Sequence, residues 1–192
     1  MASTYDDELW RLAGESPGPP PAHLVEFVES LRPARSALDL GCGDGRLSGA
    51  IPAAELTAAD VSQAALERAR TRLPDAHLTE LDPDAPLPFA DNAFDLVLCA
   101  ETIEHVRDVQ LLLSEARRVL VPGGTLAVTT PAHGRVTALR MLVRGFEREL
   151  DPLSPHLRRL TRRSLRGLLE AGGFDLVSLR RRAATLLAIA TR

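Results

Sequence analysis

The residues with chemistry to offer are glycines, carboxylates and histidines at defined spacings. Leu38-Asp39-Leu40-Gly41-Cys42-Gly43-Asp44-Gly45-Arg46 runs from a short apolar strand into three glycines. Glycine lacks Cβ, so such a loop brings backbone N–H groups up to a ligand without a clash. The spacing is G-x-G-x-G, whereas the dinucleotide fingerprint needs glycine where Arg46 stands; that disfavours a pyrophosphate cofactor and with it an NAD-dependent dehydrogenase. Seventeen residues after Gly43, segment 55–60 ends in Asp60, followed by Val61. A carboxylate at the end of a second parallel strand suits ribose hydroxyls. Segment 77–82 also ends in an acid, Leu81-Asp82, with Asp84 as competitor because Pro83 and Pro86 leave the register open.

A fourth segment, 94–100, ends in Ala100 and is followed by Glu101-Thr102-Ile103-Glu104-His105. Carboxylates and imidazoles serve as general bases or as ligands for a divalent ion. Were this block helical, Glu101 would lie one turn from both Glu104 and His105. His133 and His156 are later candidates for the same roles. Cys42 and Cys99 lack C-x-x-C spacing, which indicates neither a zinc site nor a disulfide framework.

Positioning these groups at one edge takes alternating strands and helices. Strands are predicted near 36–40, 55–60, 76–82, 94–100 and 124–130, with helices near 45–51, 62–73 and 108–120. That alternation means an α/β fold, a parallel sheet covered on both faces. Upstream, a helix over 6–13 gives way to a proline-rich connector, and a second helix runs from Pro21 to about Leu31 with Leu24, Phe27, Val28 and Leu31 on its apolar face. Tyr5 and Trp10, the chain's only Tyr and Trp, either line a pocket there or pack at the sheet edge. Thr161 reads as the N-cap of a helix stopped by Gly172-Gly173, and segments 174–179 and 186–190 are close enough to force antiparallel pairing. Between these parts, Leu139, Met141, Leu142, Val143 and Phe146 alternate with Arg135, Arg140, Arg144 and Arg148. This is the pattern of a basic amphipathic helix, either a lid over the site or a surface for membrane contact.

A chain of 192 residues accommodates one domain, subdivided as 1–35, 36–130, 131–160 and 161–192, with 131–160 as substrate cap. Its 45% hydrophobic and 26% charged content is that of a soluble globular protein. The N-terminus shows no apolar signal core, so a cytoplasmic location is expected. Residues 1–109 carry eight arginines against 20 acids, and 110–192 carry 15 arginines against six. The second half therefore has charge for an anionic substrate or surface, although arginine-rich helices are most often solvated faces.

Taken in order, the glycine loop, Asp60, Asp82 and the Glu101–His105 block resemble the class I S-adenosylmethionine-dependent methyltransferases, in particular those of ubiquinone and menaquinone biosynthesis, over about residues 36–180. The resemblance implies a doubly wound, Rossmann-like sheet of seven strands with the last antiparallel, S-adenosyl-L-methionine as methyl donor and S-adenosyl-L-homocysteine as product. It implies that Gly41, Gly43 and Gly45 lie against the methionine and ribose portion, that Asp39 anchors the loop and meets the amino group, that Asp60 takes the ribose hydroxyls and Asp82 the adenine amino group, and that Cys42, Val61, Leu81 and Ala100 also belong to the cofactor-binding set. The implied activity is methylation of a small-molecule acceptor, O-directed, with Glu101, His105, His133 and His156 as candidate catalytic residues. The alternatives are RNA ribose 2′-O-methylation, which overall acidity disfavours, and a non-catalytic cofactor-binding module. Two groups within the resemblance share E-x-x-E-H, and in one of them it binds a divalent metal; the corresponding set here is Glu101, Glu104, His105 and His156, with His133 as the other choice for the last. A structural or cofactor-contacting role without metal is the preferred reading of the Glu-His pair, since ligand type alone permits a metal site without requiring one.

Overall fold

Alternation along the strands sets the layers, since successive side chains of a strand point to opposite faces. In β1 (Ala34–Leu40) and β4 (Phe94–Ala100), Leu38, Leu40, Val97 and Cys99 pack with Leu113 and Ala116 of α4 (Val109–Val119) and with Leu165 and Leu169 of α6 (Arg162–Ala171). Ala37, Leu96 and Leu98 point the other way, onto Leu24, Phe27 and Val28 of α2 (Ala22–Glu29). α3 (Gln63–Arg72) covers β2 (Ala53–Asp60) through Ala69 and Ala58. The computed structural model describes residues 4–12, 18–145, 154 and 156–192.

The sheet has seven strands in the order β3-β2-β1-β4-β5-β7-β6, completed by β3 (His77–Glu80), β5 (Leu120–Pro131), β6 (Asp175–Arg182) and β7 (Thr185–Thr191). β1 to β5 pair in parallel, and β7 runs antiparallel to both β5 and β6. The doubly wound sheet with an antiparallel last strand is therefore present as expected. Strand order reverses between β1 and β4, and in such sheets ligands bind in the crevice outside the carboxyl ends at that switch point.

Three expectations need correction. No α-helix spans 45–51: only a 3-10 turn forms at Ser48–Ala50, because Gly45 takes a left-handed φ of 78° and Pro52 drives the preceding Ile51 into the extended region. β5 starts earlier than 124–130, at Leu120 opposite Phe94, with an irregularity in pairing before Thr125. β3 ends at Glu80, which leaves Leu81 and Asp82 on the loop that follows it. The predicted helix starts hold: Asp108 accepts from Gln110 and Leu111 N–H at 3.0 and 2.9 Å, and Thr161 and Ser164 cap each other reciprocally.

Helix α1 is Thr4–Leu12 and α5, in the predicted cap, is Arg135–Arg144. On α5, Val136, Leu139, Leu142 and Val143 are exposed. Phe146, Arg148 and the Tyr5 side chain lie outside the described residues. Among the described residues, no helix is long and apolar enough to cross a membrane.

Candidate active site

The loops after β1 and β4 face each other across the switch point. Gly41 has φ +81°, and a Cβ on it would stand 2.3 Å from Thr102 Cγ2, so glycine is needed for both conformation and approach. Thr102 Oγ1 donates to the Gly41 carbonyl at 3.2 Å and to that of Ala100 at 2.9 Å. Gly43 N–H donates to Asp60 Oδ2 at 2.8 Å, and Ser62 N–H to Asp60 Oδ1 at 2.9 Å. Both carboxylate oxygens are thereby held in place at the end of β2, beside the glycine loop.

These loops border a cavity of about 700 Å³. Gly41, Gly43, Asp60 and Val61 form one wall, Leu81, Asp82 and Leu87 a second, and Glu101, Thr102 and His105 a third; Leu9 and Trp10 of α1 close it above the glycine loop. The wall carrying Asp82 is pinned by Arg118, which donates to the carbonyls of Leu87 and Phe89 at 2.9 and 2.8 Å and pairs with Glu115. Asp82 lines the cavity, whereas Asp84 is largely exposed and pairs with Arg107 at 2.9 Å.

Other predicted cofactor residues stand behind this surface. Asp39 is 2% exposed and accepts from Ser48 Oγ at 2.6 Å; burial first, and repulsion from Asp60 last, push its carboxyl up to about 7. It anchors the loop from beneath and is not among the lining residues. Gly45 faces Ala69 of α3 and Leu73, the residue that ends that helix, and borders a separate concavity of about 460 Å³ where Arg46 and Arg72 both pair with Asp44. Cys42 packs beside α3, and burial raises its thiol far above the ordinary range, as it does for Cys99. Ala100 ends β4 without lining the cavity.

The block after β4 is not a helix. Glu101 has φ +51°, an uncommon conformation for a residue with a side chain and of the kind found at functional sites. Its N–H donates to Thr129 O at 2.9 Å and to Thr129 Oγ1 at 3.1 Å, and its Oε1 accepts from that hydroxyl at 2.9 Å. Burial raises the Glu101 carboxyl pKa, the Thr129 hydroxyl opposes this, and Glu104 adds to it. Glu104 is 1% exposed; Oε2 accepts from Thr130 Oγ1 at 3.0 Å, while Oε1 has no hydrogen-bond partner among the described residues.

Glu104 also brings the distant histidine in. Its carbonyl accepts from the N–H groups of Leu157 and Arg158 at 2.9 and 3.1 Å, which sets His156 against His105 with ring centroids 4.7 Å apart. Glu104, His105 and His156 each offer one ligand atom, all within 4.8 Å of one another. Burial chiefly, then His105 and Arg159, lower the His156 pKa. Glu101 is not in this group, since its carboxylate is turned to Thr129, so the four-ligand set reduces to three. His133 is not in the group either, and its N–H donates to Leu160 O at 2.9 Å. Sequence reasoning gave no role to Thr102, Thr129 or His23, whose Nε2 lies 3.1 Å from Thr185 Oγ1 and whose charge acts on Glu101.

Residues 38–128 match the family described as methyltransferase domain. The chain is 34% identical over 169 residues to malonyl-[acyl-carrier protein] O-methyltransferase of Methylococcus capsulatus, covering 84% of this chain and 55% of that protein. Over most of its length the chain is thus similar to S-adenosylmethionine-dependent methyltransferases. It is also 35% identical over 115 residues to trans-aconitate 2-methyltransferase of Paracidovorax citrulli, covering 58% of this chain and 44% of that one. The chain spans about half the length of the curated methyltransferases it matches. Among solved structures, a SAM-dependent methyltransferase from Aquifex aeolicus superposes with a TM-score of 0.67 at 19% identity, covering 88% of this chain and 87% of that one. The [4+2]-cyclase SpnF shares the fold with a TM-score of 0.68 at 20% identity, covering 88% of this chain and 78% of that one, so methyltransferase architecture alone does not fix the reaction.

Proposed function

We propose that this protein transfers a methyl group from S-adenosylmethionine to an oxygen of a protic small-molecule acceptor. The observation that carries this reading is that one cavity is lined both by the glycine loop with Asp60 and by Glu101 and His105. When bound, the donor supplies an electrophilic methyl on sulfur, so the protein's work is alignment and proton removal. Asp60 would accept from the ribose hydroxyls and Asp82 from the adenine amino group, both as charge-assisted hydrogen bonds. Glu101 would accept the acceptor's hydroxyl proton as the C–O bond forms and the C–S bond breaks, leaving a neutral thioether. Its raised pKa makes it a stronger base than an ordinary carboxylate, and the Thr129 hydroxyl fixes its direction. O-direction is further supported by the relative named an O-methyltransferase. Residues 131–160 would cap the acceptor end: Ala132 N–H ties the segment to Ala184 O, His133 N–H donates to Leu160 O at the segment's own far end, and α5 stands outside the core.

A second reading, a metal-assisted transferase that accepts vicinal hydroxyls such as a ribose end, is favoured by the buried Glu104 Oε1 without a hydrogen bond beside two imidazoles. Carboxylate and imidazole together fit a divalent ion of the Mn²⁺ or Zn²⁺ kind, which would act as a Lewis acid on the acceptor oxygen. Glu104, His105 and His156 would hold it.

Incubation with methyl-labelled donor and a panel of phenols, carboxylic acids, amines and RNA 3′ ends tests both. Label in a phenol or other hydroxyl supports the first reading, and label confined to RNA supports the second. Donor binding with no transfer to any class would leave a non-catalytic binding module.

A further inference from the structure

Helix α1 lies over the cavity and is fastened to α3. Asp7 Oδ1 accepts from Ser62 Oγ at 2.6 Å and from Ala64 N–H at 3.1 Å. Ser62 is the N-cap of α3, its Oγ accepting from Ala65 N–H at 3.2 Å, and its own N–H donates to Asp60 Oδ1. A continuous run of hydrogen bonds thus links the ribose-binding candidate Asp60, through Ser62, to Asp7 of α1. One turn further along, the Trp10 indole reaches the glycine loop: Cζ2 lies 2.8 Å from where a Cβ of Gly43 would stand. Arg68 of α3 holds the indole from behind, with Nη2 donating to Trp10 O at 2.5 Å and the guanidinium 5.7 Å from the ring centroid.

A helix of nine residues is too short to persist alone in water, so α1 stays helical and in place through these contacts. They are few, and Leu9 and Leu12 remain exposed at 37% and 75%. Contacts of this kind are individually modest. Trp10 lines the same cavity as Gly41, Gly43 and Asp60, with its indole against the glycine loop.

We propose that α1 is a clasp over the donor half of the cavity, with Trp10 a ligand-binding residue of the donor site and the Asp7–Ser62 hydrogen bond the catch that sets how fast the spent donor leaves. This rests on the reading of that half as the S-adenosyl site. The clasp separates two properties that the pocket walls alone would join. Asp60 and Asp82 determine whether the donor is held, and Asp7 determines how long.

Trp10 is the chain's single tryptophan, so protein fluorescence reports on α1 directly. The probe is S-adenosylhomocysteine, with calorimetry as the independent measure of its binding. Saturation should shift Trp10 emission and shield it from acrylamide. In stopped flow, Asp7→Ala should release the probe about tenfold faster than wild type, the scale of one charge-assisted hydrogen bond. Arg68→Met should act in the same direction while leaving the Ser62 cap untouched, which guards against a folding artefact in either variant. Unchanged Trp10 emission and quenching at calorimetric saturation, or wild-type release from both variants, would overturn the clasp. No heat of binding in the wild-type protein would overturn the donor-site reading instead, and the clasp with it.

Discussion

Glu101 and Thr129 are joined by three hydrogen bonds, two through the Glu101 N–H and one from the Thr129 hydroxyl to Glu101 Oε1. They stand 28 residues apart, at the carboxyl ends of neighbouring strands whose pairing ends with Ala100 opposite Thr129. The left-handed backbone at Glu101 is held by this pairing, and the same contact aims the carboxylate.

The proton-transfer role gives a signed prediction. A general base works deprotonated, so transfer should rise with pH through the Glu101 pKa. Groups acting on that carboxyl are Glu104, which raises its pKa, and His23 and His105, which lower it alongside Thr129. Thr129→Val keeps the buried volume and removes the hydroxyl that favours the ionised form, so the rising limb of the pH–rate profile should move to higher pH. Glu101→Gln should lower kcat by on the order of a hundredfold or more with homocysteine-product affinity retained. An unmoved limb in Thr129→Val would assign the base elsewhere.

Much of this site was legible in the sequence because its parts are local. The turn after β1, the acid that ends β2 and the acid after β3 each announce themselves within a few residues. The alternation of strand-like and helix-like segments and the Thr161 N-cap fixed most of the elements that carry them. The turn at 45–51 was misread because the pull of Gly45 and Pro52 outweighs the helix-like composition between them. The conformation of Glu101 was not legible, because a left-handed φ at a non-glycine residue leaves no compositional trace, and so a helical block with Glu101 one turn from Glu104 and His105 stayed open. Trp10 over Gly43 and His23 beside Thr185 are tertiary contacts that no spacing reveals.

Asp39 makes the fold's stability pH-dependent. Its carboxyl rises from an ordinary 3.8 to about 7 in the folded protein, so between those values the native state binds more protons than the unfolded one. Stability from this group is full below about pH 4 and is lost as pH rises towards 7, at no more than about 1.4 kcal/mol per pH unit. Denaturant melts from pH 4 to 8 should show a shallower decline in Asp39→Asn than in wild type. Equal slopes would mean that Asp39 is ionised in the native state across the range.

The metal reading has its own measurement. Chelator-stripped protein should take up one Mn²⁺ or Zn²⁺ per chain by elemental analysis, with a higher melting temperature, and Glu104→Gln should abolish both effects. Full methyl transfer by stripped protein, with no ion retained on add-back, would eliminate this reading.

The central claim is that the cavity at the β1–β4 switch point takes the S-adenosyl group. Isothermal titration of wild-type protein and Asp60→Asn with S-adenosylhomocysteine, and of wild type with NAD, tests it most directly. One saturable site is expected in wild type, weakened by on the order of 1–3 kcal/mol in Asp60→Asn, with no NAD binding. Saturable NAD binding with no response to S-adenosylhomocysteine would contradict the account.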